Sequence, residues 1–291
     1  MQRSSLQKIQ KKSFPYLMLL PMVLCLALFT FWPFLRSIYL SFFITDNVGN
    51  PGAFVGWRNY IRVLKSKDFM NSLKATLKYA AIVGVGTFSL SMILSLLSIR
   101  QVKGGKVYQT MYAIPMAIAS VPVSALAIYL LSNYGIINHL LGTHIEFLSS
   151  QKYAIFSVAA VTIWSYIGSS FIFLLVGFRN VPGDLIEAAT LDGASMIRKI
   201  FSVYIPLASP QIFFVIFLNI LSSFKAFAII KLLVGKGPAD STNILVFAVY
   251  SNAFLRGRFE TACVYSLVLC LVIFIFTRIQ QFCEKRMVHY Q

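Results

Sequence analysis

Long runs without a charged residue constrain this chain more than any other feature. Ser13 to Leu35, Tyr79 to Ile99, Tyr153 to Phe178 and Ile200 to Phe224 contain no Asp, Glu, Lys or Arg. A helix needs about 20 largely apolar residues to cross roughly 30 Å of hydrocarbon, and each run supplies that length. The uncharged region from Val107 to Ile145 holds a further span over Tyr108 to Leu131, then a loop through Ser132, Asn133, Tyr134 and Gly135. Thr261 to Thr277 is shorter, but one extra turn at each end places Glu260 and Arg278 at the interfaces. The sequence therefore predicts an all-α fold: a polytopic transmembrane helical bundle with six spans.

Composition excludes the competing classes. Of the residues, 58% are hydrophobic and 12% charged, and the mean hydropathy is +0.75. A water-exposed surface needs about a quarter of its residues charged. A net charge of +17 raises nucleic acid as a partner, but no compact Arg/Lys stripe lies beside exposed aromatics on a soluble module. Membrane orientation and anionic lipid account for the excess, so membrane lipid is an expected partner and nucleic acid is not. Cys25, Cys263, Cys270 and Cys283 are scattered without paired ligand spacing, and His139, His144 and His289 form no HExxH-like pair. Small apolar packing explains the cysteines, and neither set supports a metal site.

The basic start at Arg3, Lys8, Lys11 and Lys12 fits a secretory signal, but the apolar core runs into Trp32, Pro33, Phe34 and Leu35 without a small-residue cleavage site. An uncleaved first span is the reading. Lys and Arg totals tie between the two sides, and local density breaks the tie. Lys8, Lys11 and Lys12 crowd the first span's start, and Arg100, Lys103 and Lys106 fill a short loop, whereas 132–152 carries only Lys152. Short loops near span ends carry the orienting signal, which puts both termini inside.

Between the first two spans, 42–72 is predicted to lie at the outer surface. Asn47, Gly49, Pro51 and Gly52 break the first helix, and Ile61 to Phe69 alternates Lys or Arg with bulky apolar residues, as in a short interfacial helix. Pro115 and Pro122 interrupt the third span with Ser120 and Ser124 nearby; such breaks can shape a solute path, although Pro is ordinary in membrane helices. Gly84, Gly86 and Gly168 permit close helix contact.

The apolar text stops at Arg179 and changes character from Val181 to Pro210. Pro182 and Gly183 make a turn, and Asp184 followed by Glu187 reads as an Asp-led capping box. Leu185 to Leu191 then forms about two helical turns. Gly193 supplies a backbone angle that side chains resist, and Ser195 caps a second short helix, Met196 to Tyr204, ended near Pro206. Geometry alone leaves this helix, corner, helix unit open between a plain interfacial hairpin and a mechanical element, since it holds no activated nucleophile or phosphate loop.

Glu187-Ala188-Ala189, then Asp192-Gly193-Ala194, and later Val203-Tyr204-Ile205-Pro206, resemble the cytosolic signature loop of permease subunits from bacterial ABC importers. The family pattern is Glu-Ala-Ala, three residues, Gly, nine residues, Ile, any residue, Leu-Pro. Val203 stands for the usual Ile and Ile205 for the usual Leu, both apolar. Across nearly the whole chain the likeness runs to the sugar-permease branch related to the maltose and glycerol-3-phosphate systems. Phe54-Val55-Gly56-Trp57-Arg58-Asn59-Tyr60, Asn133-Tyr134-Gly135-Ile136-Ile137-Asn138, Phe224-Lys225-Ala226-Phe227 and Gly237-Pro238-Ala239-Asp240-Ser241-Thr242 support it.

What the resemblance implies is specific. Residues 1–13 would be cytosolic, and 14–291 a single transmembrane domain of a bacterial cytoplasmic membrane importer with a coupling loop at 181–207. Glu187, Ala188, Ala189, Leu191, Asp192, Gly193 and Pro206 would serve docking to a separate ATPase. Two ATPase subunits, a second related permease and an extracytoplasmic solute-binding protein would be partners. ATP and Mg²⁺ would belong to the ATPase subunits; this chain has no GxxxxGK[ST] loop and would bind no cofactor of its own. Cargo would be a sugar or oligosaccharide, with glycerol phosphate or a polyol as the alternative. An ion-gradient transporter, which would work without an ATPase, is the competing class. Pro115, Ser120, Pro122, Ser124 and Lys225 are the candidates for the path. Lys225 lies about 18 residues beyond Leu207, roughly 27 Å along a straight helix, where it would either snorkel to the outer interface or face the path. Gly235 to Thr242 would form an outer turn that touches the binding protein or is an ordinary loop.

Overall fold

The computed structural model describes residues 18–100 and 103–287. The residues from Ser13 to 17 at the predicted start of the first span, the cluster at Arg3, Lys8, Lys11 and Lys12, the 1–13 segment and His289 lie outside the described residues. The helices are α1 (Met18–Leu40), α2 (Arg58–Leu64), α3 (Lys67–Leu97), α4 (Gly105–Ala117), α5 (Ser120–Leu131), α6 (Ile136–Leu141), α7 (Ala154–Arg179), α8 (Gly183–Leu191), α9 (Met196–Leu207), α10 (Ser209–Phe224), α11 (Phe227–Leu233), α12 (Leu245–Leu255) and α13 (Phe259–Met287). Five helical stretches among the described residues are long and apolar enough to cross a membrane. A sixth follows if α9 and α10, bent by 74° at Ala208, count as one.

Several predicted elements shift. The second span's helix starts at Lys67, ahead of the charge-free run that opens at Tyr79, because Ser66 caps it there through Phe69 N–H at 3.2 Å and no breaker follows. The 42–72 segment contains an unpredicted antiparallel hairpin, β1 (Phe43–Thr45) with β2 (Pro51–Phe54), before α2. Asp46 closes its turn by accepting from the Asn50 amide N–H at 2.7 Å and the Asn50 side chain at 2.8 Å, and these bonds hold its carboxyl below the usual value. Glu260, expected at the interface, is buried. Its Oε2 accepts from Thr45 at 2.6 Å and its Oε1 pairs with Arg62 at 3.3 Å, tying α13 to the hairpin and α2.

The bundle is built around the α3–α7 seam. Along α3 the buried positions Phe69, Ser72, Thr76, Tyr79, Val83, Thr87, Ser91 and Ser95 recur every three or four residues, a stripe in which small hydroxyl residues predominate. Small residues let backbones approach in lipid, and two of these positions bond across to α7. Tyr79 and Thr162 share a hydrogen bond of 2.7 Å, and Ser95 donates to the Phe171 carbonyl at 3.0 Å. Gly168 does what its small size promised: a Cβ there would meet Tyr112 O at 3.0 Å and Ala113 Cα at 3.1 Å, so α4 crosses α7 at backbone contact. Gly84 does not, for its Cβ would enter open space.

Three apolar clusters fill the interior. One joins α3, α5, α7, α11 and α12 around Val158 and Ile230, a second joins α2, α3, α10, α12 and α13, and a third packs the far end of α7 against α9 and α10 around Phe178 and Val215. By contrast α1 contributes nothing to burial along its apolar stretch and meets the rest of the chain mainly near its C-terminal end, against α13.

Candidate functional site

Two places hold the residues singled out in the sequence. The first is a cavity of about 500 Å³ where two helical breaks meet the middle of α7. The third span does break, but between its two prolines. Ala119 is extended (φ −65°, ψ 155°), so α4 stops at Ala117 and α5 starts at Ser120. Pro115 removes an N–H from the last turn of α4, and Pro122 occupies the first turn of α5, where an N–H would have no helical partner. Of the five path candidates, Pro115, Ser120 and Lys225 line this cavity, whereas Pro122 and Ser124 do not. Ser124 is buried and donates to the Ser120 carbonyl at 2.7 Å, a bond that supports the first turn of α5.

Lys225 reaches the cavity at the point where its span ends. It follows the last residue of α10, and Phe227 N–H donates to the Lys225 carbonyl at 2.7 Å across Ala226 (φ −71°, ψ 65°), an inverse γ-turn that launches α11. From Ser209 to Phe224 the helix runs unbroken, so Lys225 stands at its far end, as the straight-helix count expects, and there it also faces the cavity. Opposite Lys225 stand Ser165, Tyr166 and Ser169 of α7. Tyr166 is 12 residues from the start of α7 and 13 from its end, about 18 Å from either, so the cavity sits level with the helix's middle. Ser165 donates to Val161 O at 3.0 Å and Ser169 to Tyr166 O at 3.0 Å, which leaves both hydroxyl oxygens as acceptors. Sequence reasoning missed this trio. Its signal was Ser165 and Ser169 one turn apart with Tyr166 beside them, in the middle of an uncharged span that carries further hydroxyls at Ser157, Thr162 and Ser170.

The second place is the 181–207 loop. Gly193 has φ +72°, Gly193 N–H donates to Thr190 O at 3.0 Å and Ala194 N–H to Ala189 O at 2.9 Å. This is a Schellman ending of α8, and it needs a left-handed residue at Gly193. Ser195 accepts from Arg198 N–H at 3.3 Å and caps α9, as its position predicted. The capping box at Asp184 and Glu187 is not formed. Pro182 takes the N-cap position with no side-chain bond, α8 starts at Gly183, and Asp184 falls inside the first turn, where its charge still opposes the helix dipole. The second short helix continues through a π-turn, Ile200–Tyr204, and past Pro206 to Leu207.

No residue of α8 is buried. Leu191 is 90% exposed and Ile197 70%, with Leu185 and Phe201 also exposed, and Glu187 has no ion-pair partner among the described residues. Ala188 and Ala189 lie on the same two turns, and Asp192 forms the C-cap. The loop thus offers large apolar side chains and two exposed carboxylates on α8, Asp184 and Glu187, with the helix closed at its C-terminal end by the turn at Gly193.

Residues 88–289 match the family model described as "Binding-protein-dependent transport system inner membrane component". Similar curated proteins include the sn-glycerol-3-phosphate transport system permease protein UgpA of Agrobacterium fabrum (strain C58 / ATCC 33970), 31% identical over 285 residues, covering 96% of this chain and 97% of that one. UgpA of Rhizobium meliloti (strain 1021) is 30% identical with the same coverage. Among solved structures, a bacterial ABC transporter involved in the import of the acidic polysaccharide alginate superposes with a TM-score of 0.86 at 21% identity, covering 98% of this chain and 100% of that chain.

Proposed function

The chain belongs to the binding-protein-dependent transport system inner membrane components, and from that premise we propose that a separate ATPase drives it through the loop around Gly193 and that it passes a small anionic polyol derivative through the cavity beside Lys225. It is a multi-pass inner-membrane permease subunit of an ABC importer that works with an extracytoplasmic binding protein. The family it matches is a transport permease family, not a nucleotide-hydrolysing one.

In this reading 181–207 faces the cytosol. The exposed Leu185, Leu191 and Ile197 would enter an apolar cleft of the ATPase, with Glu187 against its basic or polar groups. Two ATPase copies would hold ATP and Mg²⁺, and their approach would push α8. Because α8 is joined to α7 through Pro182 and to α10 through α9, a displacement of the docked helix turns the spans that line the cavity. A second permease subunit would complete the path, and the unburied apolar surface of α1 suits packing against it. Termini inside, the 42–72 layer outside and the Gly235 to Thr242 turn near the binding protein follow from the same orientation.

Lys225 carries the cargo reading. An ammonium level with the middle of a span is expensive unless it meets an anion or water, and here it opens into a cavity with hydroxyl groups opposite. A phosphate ester of a polyol would satisfy both, and the similar UgpA proteins are named for sn-glycerol-3-phosphate. A neutral sugar would use the hydroxyls and leave the charge unused. At about 4 Å the attraction between unit charges is roughly 1 kcal/mol in water and roughly 4 kcal/mol at an effective dielectric of 20. The test is ATP hydrolysis by the complete reconstituted importer with its binding protein. We expect stimulation by sn-glycerol-3-phosphate but not by glycerol or maltose, and a loss of roughly tenfold or more in phosphate-ester uptake for Lys225→Gln. Stimulation by a neutral sugar alone, with Lys225→Gln behaving as the parent, would overturn the cargo reading.

A further inference from the structure

A second space lies apart from the solute cavity. Between α5 and the first half of α7 is a cleft of about 570 Å³ walled by hydrocarbon and rings, among them Leu126, Leu130, Phe156 and Trp164. Its Ser157 hydroxyl donates to the Phe147 carbonyl at 2.9 Å and keeps only acceptor capacity, and the rest of the wall is almost wholly apolar, so a hydrated solute finds little to bond. Leu126, Phe156 and Trp164 are each between 41% and 49% exposed, which means the cleft opens sideways toward the membrane.

Its length and its rim say what fits. From Tyr153 to Trp164 the cleft follows α7 for about 16 Å, close to half of a roughly 30 Å hydrocarbon core and so to one leaflet. At the Tyr153 end, Lys78 Nζ lies 4.7 Å from the centroid of the Phe156 ring and Lys152 Nζ 5.2 Å from that of Tyr153. Those rings are three residues apart at the start of α7, so the two ammonium groups, one from α3 and one from the preceding connection, rest on neighbouring rings of one turn. Neither forms an ion pair among the described residues, and Glu146, the carboxylate in the preceding connection, reaches neither. An apolar helix from another subunit would fill the cleft but leave both charges unmatched at its mouth.

We propose that this cleft binds an anionic phospholipid, with one acyl chain along Trp164 and the phosphate between Lys78 and Lys152. The occupant would brace α5, whose first residue, Ser120, lines the solute cavity. The site rests on the chain lying in a membrane and is independent of the cargo.

Trp164 is a built-in reporter, since the chain has three tryptophans and Trp32→Phe with Trp57→Phe leaves it alone. In the full chain reconstituted into vesicles, bromine-labelled acyl chains should quench Trp164. Bromine-labelled phosphatidylglycerol should compete over bromine-labelled phosphatidylcholine by roughly fivefold per ammonium group. Lys78→Gln with Lys152→Gln should bring that ratio to one while quenching by phosphatidylcholine persists. A ratio of one in the parent, a ratio unchanged in the double variant, absence of quenching by either lipid, or displacement of phosphatidylglycerol by free glycerol phosphate would each overturn the proposal. Native mass spectrometry of the unsubstituted importer should find phosphatidylglycerol retained on the assembled complex. Its complete loss on assembly would mean that another subunit fills the cleft, and would sink the proposal too.

Discussion

Replacing Gly193 separates two reasons why a loop corner might be glycine. Its φ of +72° lies in the left-handed region, and nothing stands within 4 Å of the position a Cβ would take. Within this chain, therefore, a substitution costs backbone conformation and no clash. That conformation costs an ordinary residue roughly 1–2 kcal/mol, less for Asn, which tolerates it, and more for a β-branched side chain. A cost of 1–2 kcal/mol lowers the population of the native corner relative to opened ones by roughly 5- to 30-fold. We predict that insertion and membrane abundance stay unchanged while ATPase binding and coupled uptake fall in the order Gly193→Asn, Gly193→Ala, Gly193→Val, with Asn close to the parent. The assay is co-purification of the ATPase with the permease, together with transport by membrane vesicles at matched abundance. If Asn were as damaging as Val, the glycine would be required for contact with the partner surface, and the conformational reasoning would fail. Wild-type behaviour of all three would remove the loop from coupling altogether.

Two further perturbations test the packing. At Gly168 an added methyl meets backbone atoms at 3.0–3.1 Å, so Gly168→Ala should lower the thermal midpoint in detergent by an amount corresponding to roughly 1–3 kcal/mol of overpacking. Gly84→Ala, whose methyl meets nothing, should leave the midpoint level or raise it; equal losses would refute the crossing. At the Arg62–Glu260 clamp, Arg62→Ala should destabilise more than Glu260→Gln. The first leaves a buried carboxylate without its cation, and the usual 3–5 kcal/mol penalty shrinks to roughly 2 because the Arg62 side chain is 57% exposed. The second keeps an acceptor for Thr45, and the opposite order would count against the clamp.

The spans were legible because a membrane imposes its demand residue by residue: about 20 apolar positions in a row announce a crossing whatever they pack against. Local chemistry was equally legible where it involved neighbours. Gly193 and Ser195 took the conformations that their types favour. The Asp184 box failed because Pro182 and Gly183 moved the helix start by a residue or two, a choice among nearly equal local alternatives. The hairpin before α2 escaped notice because a three-residue strand carries too little alternation to read.

What only the tertiary structure decided was which distant residues meet. Ser165, Tyr166, Ser169 and Lys225 are ordinary residues of two separate spans until the break at Ala119 and the γ-turn at Ala226 open one cavity around them. The burial of Glu260 is of the same kind, since it depends on Thr45 and Arg62 arriving from elements some two hundred positions earlier. Hydrophobicity is a property of each side chain and sums along the chain. Facing, depth and charge pairing are properties of relative position, and a helix that bends by 74° changes all three without altering the composition that marked it as a span.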